Sequence, residues 1–249
     1  MVKRKRYYFE NAIEVEEYHD GRYGAPGTKR EKKKKATKEQ MERVNQWNKE
    51  KRARHRLRKY FKVGRDWFVT LTYKKDARPP DMKTAKKHFR EFYTAMRKEF
   101  AKHGAEIRWI RNIENTDRNN WHIHLVINDL PGTNIITLMH KAWPYGKVKD
   151  PQLLYEKGEL GDLAAYITKD EKSKKNLVFV DHTVTEANYS ISRNMPLPEP
   201  EVDKLKRWQK EPKPKEGFFV DQNTLFEGIN PVTGYKYRHY TMIRIVRRE

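Results

Sequence analysis

The 249-residue chain has no cysteine, which excludes disulfides, thiolate metal sites and thiol nucleophiles. It has no apolar run long enough to span a bilayer. Its basic start, Lys3-Arg4-Lys5-Arg6, is followed by no apolar signal core. A soluble, cytoplasmic protein without membrane contact is expected. Apolar residues are also scarce, at 36% against 36% charged, so a compact core with polar, partly extended arms fits the composition. There is no G-x-x-x-x-G-K-[ST] phosphate loop, since Gly27-Thr28-Lys29 lacks the required context.

Positive charge is abundant. The net charge is +21, and residues 1–65 carry 22 Lys and Arg against 9 Asp and Glu, more than half of the excess. With 12% aromatic residues, this suits a polyanion whose bases can stack, so nucleic acid is the expected partner. From Thr28 to about Tyr60 the residues are good helix formers with a thin apolar stripe. Such a segment is either a solvated charged helix or a basic arm on DNA phosphates, with Lys32, Lys33, Lys34, Lys35, Arg52, Arg54, Arg56 and Arg58 as candidate contacts.

Residues 67–73, rich in aromatic and branched side chains, read as a buried strand. Asp81 can cap a helix whose apolar positions Ala85, Phe89, Phe92, Tyr93, Met96 and Phe100 run at three-and-four spacing to a stop at Gly104. Strands follow at 107–114 and 121–127, joined by a polar turn centred near Arg118. Then come a helix from Asn134 to Trp143, a strand from Val148 to Tyr155 interrupted by Pro151, and a helix from Glu159 to Asp170. On the last helix Leu160, Leu163, Ala164 and Ile167 face inward, with Tyr166 and Lys169 on or near the opposite side.

This order predicts an α+β fold, a central antiparallel sheet with helices packed on one face and a site on the other, plus a basic helical N-terminal arm. Three segments are expected: a largely helical extension over 1–64, the α+β domain over 65–195, and a C-terminal extension over 196–249. Leu177–Val184, near the end of the second segment, reads as a strand; in the last, Gly217–Val220 reads as a strand, Glu201–Lys210 as a short helix and Tyr235–Val246 as a terminal strand.

In the 121–127 strand, His122 and His124 share one face while Trp121, Ile123 and Leu125 take the other. Two neutral imidazoles so placed can chelate a divalent ion with one further ligand. A hairpin centred near Arg118 sets Glu114 opposite His122 and Asn112 opposite His124, which makes Glu114 the third candidate. A one-residue slip would send it to the far side.

Three landmarks stand in order: Phe68-Val69-Thr70-Leu71-Thr72-Tyr73, Trp121-His122-Ile123-His124 and Tyr166-Ile167-Thr168-Lys169. Together they resemble the rolling-circle replication initiators of the His-hydrophobe-His endonuclease superfamily, in the single-tyrosine class found on bacterial plasmids, phages and integrative elements. The resemblance covers roughly residues 45–195 and implies an RRM-like palm. It implies that His122 and His124, with Glu114, bind Mn²⁺ or Mg²⁺, that Tyr166 is the nucleophile, and that Lys169 is its catalytic partner. The implied activity is that of a metal-dependent endonuclease and strand transferase, nicking and rejoining single-stranded DNA at an origin through a 5′-phosphotyrosine. No small-molecule cofactor is implied. Without a phosphate loop, unwinding would need a separate helicase. A relaxase or single-tyrosine transposase would use similar chemistry. A non-catalytic DNA-binding regulator on the same scaffold is the alternative in which metal is dispensable.

Overall fold

The structure, a computed structural model, describes residues 2–19, 37–116, 119–154, 159–169, 184–230 and 235–245. It is α+β, with two antiparallel five-stranded sheets and four helices among the described residues. The chain divides into two compact units, residues 46–197 and residues 1–45 with 198–249.

In the first unit the sheet comprises β3 (Trp67–Tyr73), β4 (Trp109–Thr116), β5 (His122–Ile127), β6 (Gly146–Leu153) and β7 (Val184–Ile191), in the order β6-β3-β5-β4-β7. Helix α2 (Met82–Lys102) begins where the Asp81 carboxylate accepts the Thr84 amide at 2.7 Å, satisfying one of the free N–H groups of its first turn. It ends before Gly104, whose φ of +63° suits a residue without a Cβ. Its stripe of Ala85, Phe89, Phe92, Met96 and Phe100 is buried against Leu71, Ile113, Ile123 and Leu125 of the sheet. Helix α3 (Ile135–Ala142), capped by Asn134 onto the Thr137 amide, adds Ile135 and Met139 to this core.

The opposite face carries a second apolar cluster. Ala53, Leu57 and, just past the helix, Phe61 from α1 (Lys38–Tyr60), and Ala164 and Ile167 from α4 (Glu159–Thr168), pack with Ile110 and Val126. Helices therefore cover one face fully and part of the other. Within the basic segment, α1 is thus not a fully solvated rod; its last turns are anchored by leucine and alanine. Pro151 lies in β6, an edge strand, where its missing N–H leaves no inner ladder bond unmade.

In the second unit β1 (Val2–Tyr8), β2 (Ala12–His19), β8 (Glu201–Leu205), β9 (Phe218–Ile229) and β10 (Lys236–Arg244) form a sheet in the order β8-β1-β2-β10-β9. Residues 2–19 thus form a strand hairpin where a largely helical extension was expected, and the N- and C-terminal segments share one unit. Glu201–Leu205 is a strand and not the expected short helix: it pairs with β1, where the Arg6 guanidinium bonds the Asp203 carboxylate. The strand expected at 177–184 lies outside the described residues except for its last position. No described helix is long and apolar enough to cross a membrane.

Candidate metal and nucleophile site

The β4–β5 hairpin has the register its sequence implied: Asn112 pairs with His124 and Glu114 with His122. The turn centre near Arg118 lies outside the described residues, but its flank is held by Asn119, at φ +48°, a left-handed conformation that asparagine tolerates better than most residues. The Asn119 amide bonds the Thr116 carbonyl at 2.8 Å, and its side-chain oxygen accepts the Trp121 indole N–H at 3.1 Å. Trp121, Ile123 and Leu125 go into the α2 core, so His122 and His124 are turned to the other face.

There the two imidazoles meet Glu114. Its Oε2 lies 3.4 Å from His122 Nε2 and 3.7 Å from His124 Nε2. The ligand atoms of the three residues all fall within 4.8 Å of one another. Each group is oriented from behind. The Asn120 carbonyl is 3.0 Å from His122 Nδ1 and the Thr70 hydroxyl 3.2 Å from His124 Nδ1, leaving both Nε2 atoms toward the carboxylate. Asn112, fully buried, donates from Nδ2 to Glu114 Oε1 at 2.9 Å and to the Lys169 carbonyl at 3.0 Å.

Helix α4 brings the remaining residues. Ala164 and Ile167 fix its inner side in the second apolar cluster, and Tyr166 projects to the hairpin, its hydroxyl 2.9 Å from His124 Nε2. Phe68 meets the Tyr166 ring edge-on at 6.1 Å and the His124 ring at 6.0 Å, so apolar surface lines that side. Lys169 joins Tyr166 at the cluster. The helix ends at Thr168, whose hydroxyl bonds back to the Ala164 carbonyl, and the turn that follows directs Lys169 inward. Only 5% exposed, its ammonium is 3.0 Å from Glu114 Oε2 and 4.3 Å from the Tyr166 ring centroid.

The electrostatics follow from this packing. Burial works to raise the Glu114 carboxyl, but hydrogen bonding from His122 and His124 and the charges of His124 and Lys169 outweigh it, holding the group well below the usual carboxylate range. Burial lowers His124 despite the adjacent carboxylate, which favours the neutral, ligating imidazole. Burial, then the Glu114 charge, pushes the Tyr166 phenol up.

These residues fit a divalent ion. Glu114 Oε2 is buried, with an ammonium at 3.0 Å and two imidazole nitrogens at 3.4 and 3.7 Å turned toward it. A carboxylate and two imidazoles around one small volume are a donor set that a divalent ion takes up readily.

The basic candidates are dispersed. Lys32, Lys33, Lys34 and Lys35 lie outside the described residues. Arg52 is exposed and Arg54 and Arg58 are half-buried on α1, whereas Arg56 donates to the Met195 carbonyl at 2.9 Å, a bond within the fold. Of the other tyrosines in this unit, Tyr155 lies outside the described residues, and Tyr189 is half-buried on β7 opposite Asn112, which stands between it and His124.

Sequence reasoning missed Thr70 and the bridging role of Asn112. Thr70 was legible as a strand residue, but nothing in the sequence paired that strand with the histidines. No curated protein and no solved structure matches the chain. Residues 66–171, which hold the chain from β3 through α4, match the family model of the replication-associated proteins of the ORF2 and gene-2-protein type, a family of rolling-circle replication initiators of the His-hydrophobe-His class.

Proposed function

We propose that this protein initiates replication by nicking and rejoining single-stranded DNA at an origin, with Tyr166 as the nucleophile. The observation that carries the reading is the convergence of the Tyr166 hydroxyl, 2.9 Å from His124 Nε2, with the cluster of Glu114, His122 and His124. In the reaction the Tyr166 oxygen forms a bond to phosphorus and the bond from phosphorus to the 3′ oxygen breaks. The phenol gives up its proton, and the 3′ oxygen takes one up to leave as a hydroxyl. The 5′-phosphotyrosine conserves the bond energy, so a later 3′-hydroxyl can rejoin the strand by the reverse step.

Lys169 has two tasks in this scheme. Its ammonium over the Tyr166 ring favours the phenolate, offsetting the burial that otherwise keeps the phenol protonated. Its contact with Glu114 holds the carboxylate in place. A divalent ion on Glu114, His122 and His124, when bound, polarises the scissile phosphate and stabilises the leaving oxyanion. The mixed nitrogen and oxygen donors suit Mn²⁺ better than Mg²⁺. Strand opening falls to a separate helicase, since the sequence has no phosphate loop.

The test is incubation of the full chain with single-stranded fragments of its own replicon and Mn²⁺. A protein–DNA adduct that survives denaturation is expected from wild type and not from Tyr166→Phe, which should still bind DNA and metal. His124→Ala or a chelator should also abolish the adduct. An adduct from Tyr166→Phe would move the nucleophile elsewhere, and none from wild type on any fragment would end the endonuclease reading.

A further inference from the structure

Resting on that reading, we propose that Lys147 and Lys149 of the edge strand β6, with Thr72 and Thr70 beside them, form the track along which the phosphodiester backbone of a single DNA strand reaches the metal cluster.

The argument starts from ladder register. Lys147 pairs with Thr72, Thr72 with His122 and His122 with Glu114, so these four residues form one row across β6, β3, β5 and β4. Lys149, Thr70, His124 and Asn112 form the next parallel row. Directly opposed residues share a face of the sheet. Between the two lysines Val148 points into the α2 core, so both lysine side chains stand on the face of the histidines. The register has no freedom at its start: a Cβ on Gly146 would lie 1.8 Å from the Thr72 carbonyl oxygen, so β6 is pressed directly against β3 there.

Exposure grades along both rows. Lys147 and Lys149 are exposed, Thr72 and Thr70 half-buried, His122 half-buried, His124 5% exposed, and Glu114 and Asn112 fully buried. The carboxylate is thus at the closed end of the site, the imidazoles stand in front of it, and the lysines lie beyond them. One row further along, Phe68, Val126, Ile110 and Ile191 belong to the apolar cluster under α1 and α4, which roofs that end of the face. The described surface therefore leaves an approach over β6.

The chemistry of that approach selects its occupant. Among the described residues neither ammonium is in an ion pair, and the strand between Gly146 and Leu153 has Asp150 as its one acid, in the bulge where the β3 pairing shifts. Apart from Pro151, it exposes no apolar side chain that a protein partner would bury. Two ammoniums in front of a metal cluster are phosphate-oxygen donors, while the Thr72 hydroxyl, which donates to the Lys147 carbonyl at 3.2 Å, and the Thr70 hydroxyl, bonded to His124 Nδ1, tie the rows together beneath them. Strands lie about 4.8 Å apart, so each lysine Cα is roughly 10 Å from the histidine of its row, and the long side chain reaches the phosphates flanking the scissile one.

The experiment compares Lys147→Gln/Lys149→Gln with wild type and with a control, Lys87→Gln/Lys98→Gln, which removes the same charge from exposed positions of α2 on the other face. Binding of a fluorescent single-stranded oligonucleotide is measured as a function of salt. Loss of two phosphate contacts flattens the slope of log K against log salt by about 1.4, so the loss of affinity between 50 and 200 mM salt shrinks about sevenfold. For a fragment that wild type cleaves, KM should rise with kcat unchanged at saturation. Equal effects from both pairs would reduce the finding to net charge and overturn the track, as would an unchanged slope in the β6 variant. Binding is read independently of cleavage, so absence of an adduct in wild type refutes the nuclease reading without deciding the track, which the salt slopes then judge.

Discussion

Removing the Glu114 charge is the most searching perturbation of the site. Glu114→Gln keeps the side-chain shape and leaves an oxygen to accept from Asn112, but it withdraws the anion from a Lys169 ammonium that is 3.0 Å away and almost without solvent. The ammonium then faces an amide and two imidazoles. Breaking a buried pair from one side costs about 3–5 kcal/mol, because the remaining charge has neither partner nor water. At about 2–4 °C per kcal/mol for a domain of this size, the melting temperature of the metal-free protein should fall by roughly 6–20 °C. Lys169→Met should cost less, since His122 and His124 still face the carboxylate. The double variant, in which no charge is stranded, should recover much of the loss, giving a coupling energy of the pair in the cycle.

Metal and pH supply two further readings from the same melts. Mn²⁺ at a hundredfold excess over its Kd should add about 2.7 kcal/mol to wild type and markedly less to Glu114→Gln. Because the folded-state pKa of Glu114 is depressed, its contribution is fully present above the ordinary value of 4.5 and is lost as pH falls below that toward the folded-state value. The gap between wild type and Glu114→Gln should therefore hold steady from neutral pH to about 5 and close in acid. If Glu114→Gln melts with wild type at neutral pH without metal, the buried ion pair and the reasoning built on it are refuted.

Two other substitutions separate positioning from binding. Asn112→Ala removes the bonds to Glu114 and to the Lys169 carbonyl, so Mn²⁺ affinity by calorimetry should fall about 10–100-fold; unchanged affinity would reduce Asn112 to packing. In the basic segment, Arg52→Gln with Lys32, Lys33, Lys34 and Lys35 neutralised should flatten the salt dependence of DNA binding by roughly 0.7–0.9 per lost phosphate contact. Arg56→Gln should instead lower the melting temperature, because its guanidinium holds the Met195 carbonyl.

What could be read from the chain follows the range of the interactions. The β4–β5 hairpin was legible because a short turn and a period of two fix which residues oppose each other, and so Glu114, His122 and His124 came out together. The helix from Met82 was legible from its cap and its stripe. Of the second sheet, β9 was legible at its start and β10 nearly throughout, but β1, β2 and β8 were not, because β1 satisfies its neighbours with charge in place of apolar alternation. Arg4 bonds Glu17 at 2.5 Å, Arg6 bonds Asp203, and Glu17 in turn takes Arg238 at 2.5 Å. Such a ladder reads in the sequence as a basic lead. Lys169 was legible as the partner of Tyr166 but its burial was not: helical spacing was extended to Asp170, two residues past the true end of α4 at Thr168.

The same distinction of range divides the site in two. Glu114, His122 and His124 lie on adjacent strands of one hairpin, so their mutual placement depends on local pairing. Tyr166 is 42 residues from His124, and its placement depends on Ala164 and Ile167 packing against Ile110 and Val126, the roof of the closed end. Asn112 bonds to both halves, through Glu114 on the hairpin and the Lys169 carbonyl just beyond α4. The cluster of Glu114, His122 and His124 and the placement of the Tyr166 hydroxyl therefore have separate structural supports. The fully buried amide between them is where a disturbance of the apolar cluster would pass to the carboxylate.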